Sequence, residues 1–243
     1  MAPATAVIVT AHNEADRLPA TLRALAAAFP GARVLVADDG STDGGAAVAA
    51  ANGAEVVRSE RNIGKGGIAT LAAQRLLPLA DDPARQVVLL CDGDLAASAE
   101  ALKQLVEEVR AGRADLAVAA FQRRVGGGFG WALGFARWAI RKRCGYEASA
   151  PISGQRALRA ELLPAVMPFA PRFGMEIGMT IDAVRAGFRV EEVELPLAHR
   201  ATGRTLRGFL HRGRQLLDFA AVYLARRTTT RTPTVATDRR SDH

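Results

Sequence analysis

Cysteine, tryptophan and tyrosine each occur only twice in this 243-residue chain, and each scarcity closes off a class of protein. Two cysteines without framework spacing, Cys91 and Cys144, cannot staple a small disulfide scaffold and read as free thiols of a cytosolic protein. Aromatics amount to 5% although hydrophobic residues reach 49%, so the core must be built mainly from Ala, Leu and Val. No run of about 18 apolar residues occurs, so no spanning helix is expected. The chain enters MAPATAVIVT with neither a basic n-region nor a long apolar h-region. No secretory signal is read, and a cytoplasmic location is expected. Two glycine motifs are missing as well. The first strand-to-helix turn holds no GxGxxG, and no GxxxxGK[ST] spacing is found, which argues against a dinucleotide cofactor and a Walker A loop. There is no internal repeat.

Acidic charge is scarce at one end. Residues 1–199 carry 22 Lys/Arg and 22 Asp/Glu, whereas residues 200–243 carry ten Arg and three Asp, the whole of the +7 excess. Such a segment suits an anionic partner: a lipid phosphate, a membrane surface or a nucleic acid. The last stretch, TTTRTPTVATDRRSDH (228–243), has nothing to pack and is expected to be disordered.

What is present alternates strand and helix. AVIVTA (6–11), RVLVADD (33–39), EVVRS (55–59), QVVLLCD (86–92) and ADLAVAAF (114–121) read as strands, several of them apolar throughout, as strands buried on both faces are. Helices are expected at 18–29, 45–52, 67–77 and from a cap at Ser98 to Ala111. This order predicts an α/β fold, a mostly parallel Rossmann-like sheet flanked by helices. After Phe121 the rhythm changes. A Gly-rich loop leads to an amphipathic helix over 129–143, and residues 122–143 hold six basic residues and no acid. SGQRALRAELL (153–163) leads into a helix, MEIGMTIDAVRAG (175–187) forms another, and RVEEVELPL (189–197) alternates as a strand. Domain organisation is read as a catalytic domain over 1–204, an amphipathic helix over 205–227 and the tail over 228–243. On that helix Leu206, Phe209, Leu210, Leu217, Ala220 and Leu224 share one face, with Arg207, His211, Arg214 and Asp218 on another. The apolar face suits a headgroup boundary and equally suits packing on the protein itself.

Ligands of open parallel sheets bind outside the carboxyl ends of the strands. Four polar segments fall there: His12-Asn13-Glu14, Asp38 to Asp43, Asn62 to Gly67, and Asp92-Gly93-Asp94. One acidic turn is ordinary turn chemistry; four on one rim are not. Asp92 and Asp94 flank a glycine and can approach one hard cation, Mg²⁺ or Mn²⁺, that bridges a diphosphate. Gly64-Lys65-Gly66-Gly67 opens a helix with bare N–H groups and a lysine, which favours an anion. Asp39 can accept from a base or a ribose hydroxyl, Glu14 can do likewise or orient its loop, and Asp38 is as readily structural. His199-Arg200-Ala201-Thr202-Gly203-Arg204 follows a strand with two arginines suited to phosphate, or is a loop of solvated charges. Glu176 and Asp182 are six apart, so they form no same-face pair, and either could face the site.

VIVTAHNE, VADDGSTD, NIGKGG and CDGD together resemble family 2 glycosyltransferases of the GT-A fold, best the dolichol-phosphate mannosyltransferase type with its bacterial polyprenyl-phosphate sugar transferases. The resemblance covers roughly residues 5–200, and SGQRALRAE is similar to that subgroup's Ser/Thr-Gly and Arg segment. It implies that Ala11, Glu14, Asp39, Lys65 and Asp92 bind the nucleotide sugar, Lys65 near the diphosphate. Asp92 and Asp94 would hold the metal. Asp94, Arg156 and Arg200 would act in catalysis; Arg156, Arg200 and Arg204 would meet donor or acceptor phosphate, with Arg200 and Arg204 placed at the acceptor phosphate. Ala96 departs from the subgroup, which often has a polar residue such as Gln there, and so leaves the third metal ligand unassigned.

The function expected is metal-dependent transfer of a sugar from a UDP- or GDP-linked donor to a polyprenyl phosphate, by an enzyme peripheral at the inner face of the cell membrane. A phosphate acceptor is largely ionised near neutrality, its second pKa being about 6, and needs cations rather than a protein base. A soluble hydroxyl acceptor, such as a small metabolite, would need a positioned carboxylate. A nucleotidyltransferase would want a Gly-rich basic loop in the first turn, which TAHNEADRL lacks. A non-catalytic membrane- or nucleic-acid-binding module leaves the acidic rim unexplained, and no nucleic acid partner is expected. GDP-mannose, UDP-glucose and UDP-N-acetylglucosamine all remain open as donors.

Overall fold

A computed structural model describes residues 5–76, 82, 85–121, 131–196 and 206–227. The chain forms β1 (Thr5–Ala11), α1 (Leu18–Ala28), β2 (Arg33–Asp38), α2 (Gly45–Ala51), β3 (Glu55–Arg58), α3 (Lys65–Leu76), β4 (Val87–Asp92), α4 (Lys103–Arg110) and β5 (Leu116–Phe121). It continues with α5 (Trp131–Cys144), β6 (Arg156–Arg159), the one-turn α6 (Leu163–Val166), α7 (Met175–Arg185), β7 (Val190–Leu195) and α8 (Leu206–Ala225). The seven strands make one mixed sheet in the order β3-β2-β1-β4-β6-β5-β7.

The apolar runs are explained by burial on both faces. Along β1, Val7 and Val9 point to one face and pack with Leu18, Leu22 and Leu25 of α1 and Val106 of α4. Ala6 and Ile8 point to the other and pack with Ile68, Ala69 and Ala72 of α3 and Met175 of α7. β4 divides in the same way, with Leu89 and Cys91 on the first face and Val88 and Leu90 on the second. Both cysteines are free, and burial pushes the Cys91 thiol far above its usual range. A third cluster joins Ile140 of α5, Ile177 and Ile181 of α7, and Phe219 and Val222 of α8.

β1 lies between β2 and β4, both parallel to it. The chain winds outward through β2 and β3, then returns past β1 to β4. The crevice between the carboxyl ends of β1 and β4 is therefore the switch point of the sheet, where ligands of such folds sit.

Three expectations are corrected. SGQRALRAELL does not lead straight into a helix: Arg156–Arg159 is a strand, antiparallel to both β4 and β5. Wedged between two strands, Arg156, Ala157 and Leu158 are all buried, so the segment shows no alternation. Ser98 does not cap a helix. A 3-10 turn over Ala96–Leu102 precedes α4, and Ser98 Oγ donates back to Leu95 O at 2.7 Å. Among the α8 residues whose side chains are described, Phe219 and Val222 are buried against the protein, while Leu217 is 71% and Leu224 58% exposed. The 228–243 tail and the 197–205 segment, with His199, Arg200 and Arg204, lie outside the described residues.

Candidate active site

The four strand-end loops are fastened to one another. Asn13 adopts a left-handed φ of 56°, which asparagine tolerates better than most residues. There its N–H donates to Ser41 Oγ at 3.0 Å and its Oδ1 accepts from Thr42 N at 2.8 Å. Asp43 accepts from Ala15 N and Gly45 N; the first of these bonds is the main cause holding its carboxyl below the usual range. Asp38 is buried, accepts from Ser41 N at 3.0 Å and pairs with Arg58. Two of the three acids in the second loop are thus turn and packing residues.

Asp39 alone of the three reaches the cleft. Its Oδ1 accepts from Ile63 N at 2.7 Å and its Oδ2 from Gly64 N at 2.9 Å. The carboxylate so grips the loop that opens α3 and fixes where Lys65 begins. Gly40 makes this approach feasible: its φ is +71°, and a Cβ there would lie 2.8 Å from the carbonyl carbon of Arg61.

Lys65 Nζ sits 2.6 Å from Asp92 Oδ1 and 3.0 Å from Glu176 Oε1. Burial works to lower the lysine pKa, but the two carboxylates outweigh it and hold the ammonium above its usual range. Burial likewise works to raise Asp92. Lys65 outweighs it, helped by donation from Thr10 Oγ1 at 3.1 Å and Gln155 Nε2 at 2.7 Å, and the carboxyl stays below its usual range. Asp94 is less engaged, with Arg17 Nη1 3.9 Å away. The loop carrying it is pinned by Thr21 of α1, whose hydroxyl donates to Gly93 O and accepts from Ala96 N, each at 2.8 Å.

Together these residues wall a cleft of about 640 Å³, the size of a small-molecule site. Ala11, Glu14, Asp39, Lys65, Asp92 and Asp94 all line it. Arg156 does not. It is 1% exposed, with Nε donating to Ser153 O at 2.8 Å and Nη1 to Thr180 Oγ1 at 2.9 Å. Burial pushes its pKa down to about 10 against the pull of Glu176 and Glu192. A guanidinium so enclosed has no surface to offer a phosphate; it holds the turn that delivers Gln155 to Asp92.

Five residues in or behind the cleft have little signal in the sequence. Gln155 and Glu176 complete the shell around Asp92 and Lys65. Arg172, Phe173 and Asp218 line the cleft itself. Arg172 has a left-handed φ of 51°, and its backbone packs on Gly64, where a Cβ would lie 3.2 Å from Arg172 Cα. Among the described residues it makes no ion pair, unlike Lys65. No three His, Cys, Asp or Glu side chains converge on a metal position among the described residues. The donors are nonetheless hard oxygens, and a Mg²⁺-type ion needs only one or two carboxylates when substrate phosphates and water fill the remaining positions. Asp94 and Asp92 fit that mode.

The model of the family described as "Glycosyl transferase family 2" matches residues 6–164. An undecaprenyl-phosphate mannosyltransferase of Micrococcus luteus is 31% identical over 214 residues, 82% of this chain and 85% of the relative. A glycosyltransferase of Mycobacterium tuberculosis is 32% identical over 209 residues, 83% of this chain and 88% of the relative. Among solved structures, glucosyl-3-phosphoglycerate synthase of M. tuberculosis with Mn²⁺, UDP and glucosyl-3-phosphoglycerate is similar at a TM-score of 0.72 and 27% identity, covering 92% of this chain and 80% of that one. With the fold, the sheet order and the rim of loops in place, the chain is a glycosyltransferase of the GT-A fold and belongs to glycosyltransferase family 2.

Proposed function

We propose that the chain transfers a sugar from a UDP- or GDP-linked donor to a polyprenyl phosphate, at a membrane surface to which it attaches peripherally. The observation that carries this reading is the cleft at the switch point. The carboxylates of Asp92 and Asp94 line it together with Asn62, Gly64 and Lys65 of the loop that opens α3 and with Arg172, a cation that makes no ion pair among the described residues. A nucleoside diphosphate with a hard cation asks for this combination.

Glu14 and Asp39 contact the nucleoside, and Asp39 also fixes the loop beneath the diphosphate. Lys65 pairs with Asp92 and Glu176 and holds Asp92 still. Asp94, with Asp92 behind it, holds Mg²⁺ or Mn²⁺, which when bound neutralises charge growing on the departing diphosphate. Arg172 supplies a further cation at that diphosphate. Arg200 and Arg204 take the acceptor phosphate, an assignment made on sequence alone.

Two observations support the lipid acceptor. The M. luteus relative bears the name undecaprenyl-phosphate mannosyltransferase. Six large hydrophobic residues are exposed among those described, and four of them, Trp131, Trp138, Leu217 and Leu224, lie on α5 and α8. These helices pack together beside the basic turn Arg141-Lys142-Arg143, a combination suited to an anionic headgroup layer. Among the described residues no helix is long and apolar enough to cross a membrane. A second reading is a soluble acceptor, supported by the structural neighbour solved with Mn²⁺, UDP and phosphoglyceric acid. The test supplies GDP-mannose, UDP-glucose and UDP-N-acetylglucosamine in turn, with undecaprenyl phosphate or phosphoglyceric acid. Sugar in the lipid extract is expected; a soluble glycoside with no lipid product for any donor replaces the first reading with the second.

A further inference from the structure

α8 brings one more carboxylate to the cleft. Asp218 lines the same cavity as Asp92, Asp94 and Arg172. Its Oδ2 is buried and, among the described residues, has no hydrogen-bond partner.

The placement is fixed rather than slack. Phe219, one residue on, is 1% exposed, and Val222, one turn on, is 4% exposed. Both pack with Ile177 and Ile181 of α7. Gly174 leaves the room for this approach: a Cβ there would collide with Val222 and come within 3.6 Å of the Asp218 backbone oxygen. Beyond Asp218 the helix is tied twice more, by Arg143 Nε donating to Tyr223 O at 2.9 Å and Arg185 Nη1 donating to Arg226 O at 2.8 Å. The backbone of α8 is therefore held where the partly exposed Asp218 side chain stands on the cleft wall with Oδ2 buried.

A carboxylate oxygen that has left water without a donor is destabilising unless the ligand brings one. An ionised phosphate has no proton to give and would be repelled. Nor does Asp218 converge with Asp92 and Asp94 on one metal position among the described residues. A hydroxyl remains. The strand-end loops take the nucleoside and, with Arg172, the diphosphate, so the part of the donor left for Asp218 is the sugar. Building on the nucleotide-sugar reading above, we propose that Asp218 accepts a hydrogen bond from a hydroxyl of the sugar being transferred, and so selects among donors that differ at that hydroxyl.

The experiment compares wild type, Asp218→Asn and Asp218→Ala in two assays. Calorimetry measures UDP and GDP affinity with Mn²⁺; steady-state kinetics measures donor hydrolysis, without acceptor, for the best nucleotide sugar and its monodeoxy analogues. Nucleotide affinity should stay within about twofold in both variants, which also reports that they fold. Hydrolysis kcat/KM for the full sugar should fall about 10- to 100-fold, the worth of a hydrogen bond to a charged group. The wild-type preference for the full sugar over one particular deoxy analogue should vanish, and preferences over the others should persist. Variants that keep full donor kcat/KM, lose nucleotide affinity in step with it, or fail only when acceptor is added overturn the assignment. Wild type that binds neither UDP nor GDP overturns the nucleotide-sugar reading itself, and the assignment with it.

Discussion

Gly154 lies against the Lys65–Asp92 ion pair. A Cβ on Gly154 would collide with Lys65 Nζ and come within 2.8 Å of Asp92 Oδ2. The glycine is needed there for lack of a side chain, since no left-handed φ is involved. Gly154→Ala should force the pair apart and shift Asp92 by a fraction of an ångström to an ångström. Displacements of that order cost about 100-fold in turnover. Far-UV circular dichroism should be unchanged while kcat falls by about that factor; a Gly154→Ala enzyme with wild-type kcat would show that the pair does not set the site.

The two acids of the β4 loop should respond differently to the same change. Asp94→Asn removes the less engaged carboxylate. It should lower transfer about 100- to 1,000-fold and leave the melting temperature where it is. Asp92→Asn also strips Lys65 of its nearer partner. Both members of that pair are about a quarter exposed, so the penalty is about 2 kcal/mol, below the range of about 3–5 kcal/mol for fully buried pairs. The melting temperature should then drop by about 4–8 °C. Chelation with EDTA should abolish turnover of the wild type, and Mn²⁺ should restore it. Full activity in metal-free buffer would remove the metal from the scheme.

Arg172 and Lys65 differ in how committed they are. Lys65 is matched by two carboxylates, whereas Arg172 makes no ion pair among the described residues. Arg172→Ala should weaken UDP or GDP binding about 10- to 100-fold, and Arg172→Lys should recover part of the loss. Equal affinities for wild type and Arg172→Ala, by calorimetry, would leave the diphosphate to the loop before α3.

The pH dependence of stability follows from the same pair. The folded carboxyl of Asp92 is held below its ordinary value of about 3.9. Its contribution is complete above that ordinary value and is lost as pH falls through the depressed one. The folded ammonium of Lys65 is held above its ordinary value of about 10.4. Its contribution is complete below that value and is lost as pH rises through the raised one. The gap in melting temperature between wild type and Asp92→Asn should therefore be flat from about pH 5 to 9 and shrink on either side, below about pH 4 and above about pH 10. A gap that varies across the neutral range would mean that another group titrates with the pair.

Membrane attachment makes a separate claim on α5 and α8. Trp138 is 48% exposed although it stacks near Tyr223, with ring centroids 4.8 Å apart, and Leu217 projects beyond it at 71%. Trp131→Ser, Trp138→Ser and Leu217→Gln together should cut co-sedimentation with anionic vesicles at low salt by at least about tenfold, with donor hydrolysis intact. A triple variant that sediments like wild type would move the contact elsewhere.

Much of the fold was legible because β1, β2 and β4 are buried on both faces and read as unbroken apolar segments. The rim was legible because its acids and glycines are local in sequence. β6 was not legible: four residues with two arginines carry no strand signature, and Arg156 enters the sheet only because Ser153 O, Pro151 O and Thr180 Oγ1 meet its guanidinium. The same arginine, beside Ser153 and Gly154, resembled a phosphate ligand, and only burial distinguishes the two roles. Glu176 was noted as one of two acids on α7 that could face the site; its pairing with Lys65 is tertiary, while Asp182 pairs with Arg226. Arg172 and Asp218 carry no local pattern, because what qualifies them is the shape of a wall formed by distant segments.

β6 runs against its neighbours, so it is the residues before this strand, and not those after it, that stand at the carboxyl rim. Leu90 pairs with Arg156, which sets Gln155 level with the end of β4. The four strand-end loops and both acids of the β4 loop thus belong to the first five strands, whereas their braces, Gln155 for Asp92, Glu176 for Lys65 and the α8 wall, come from later segments. The acids are held in part by these long-range contacts, so a change in β6, α7 or α8 reaches the carboxylates without touching the rim that carries them.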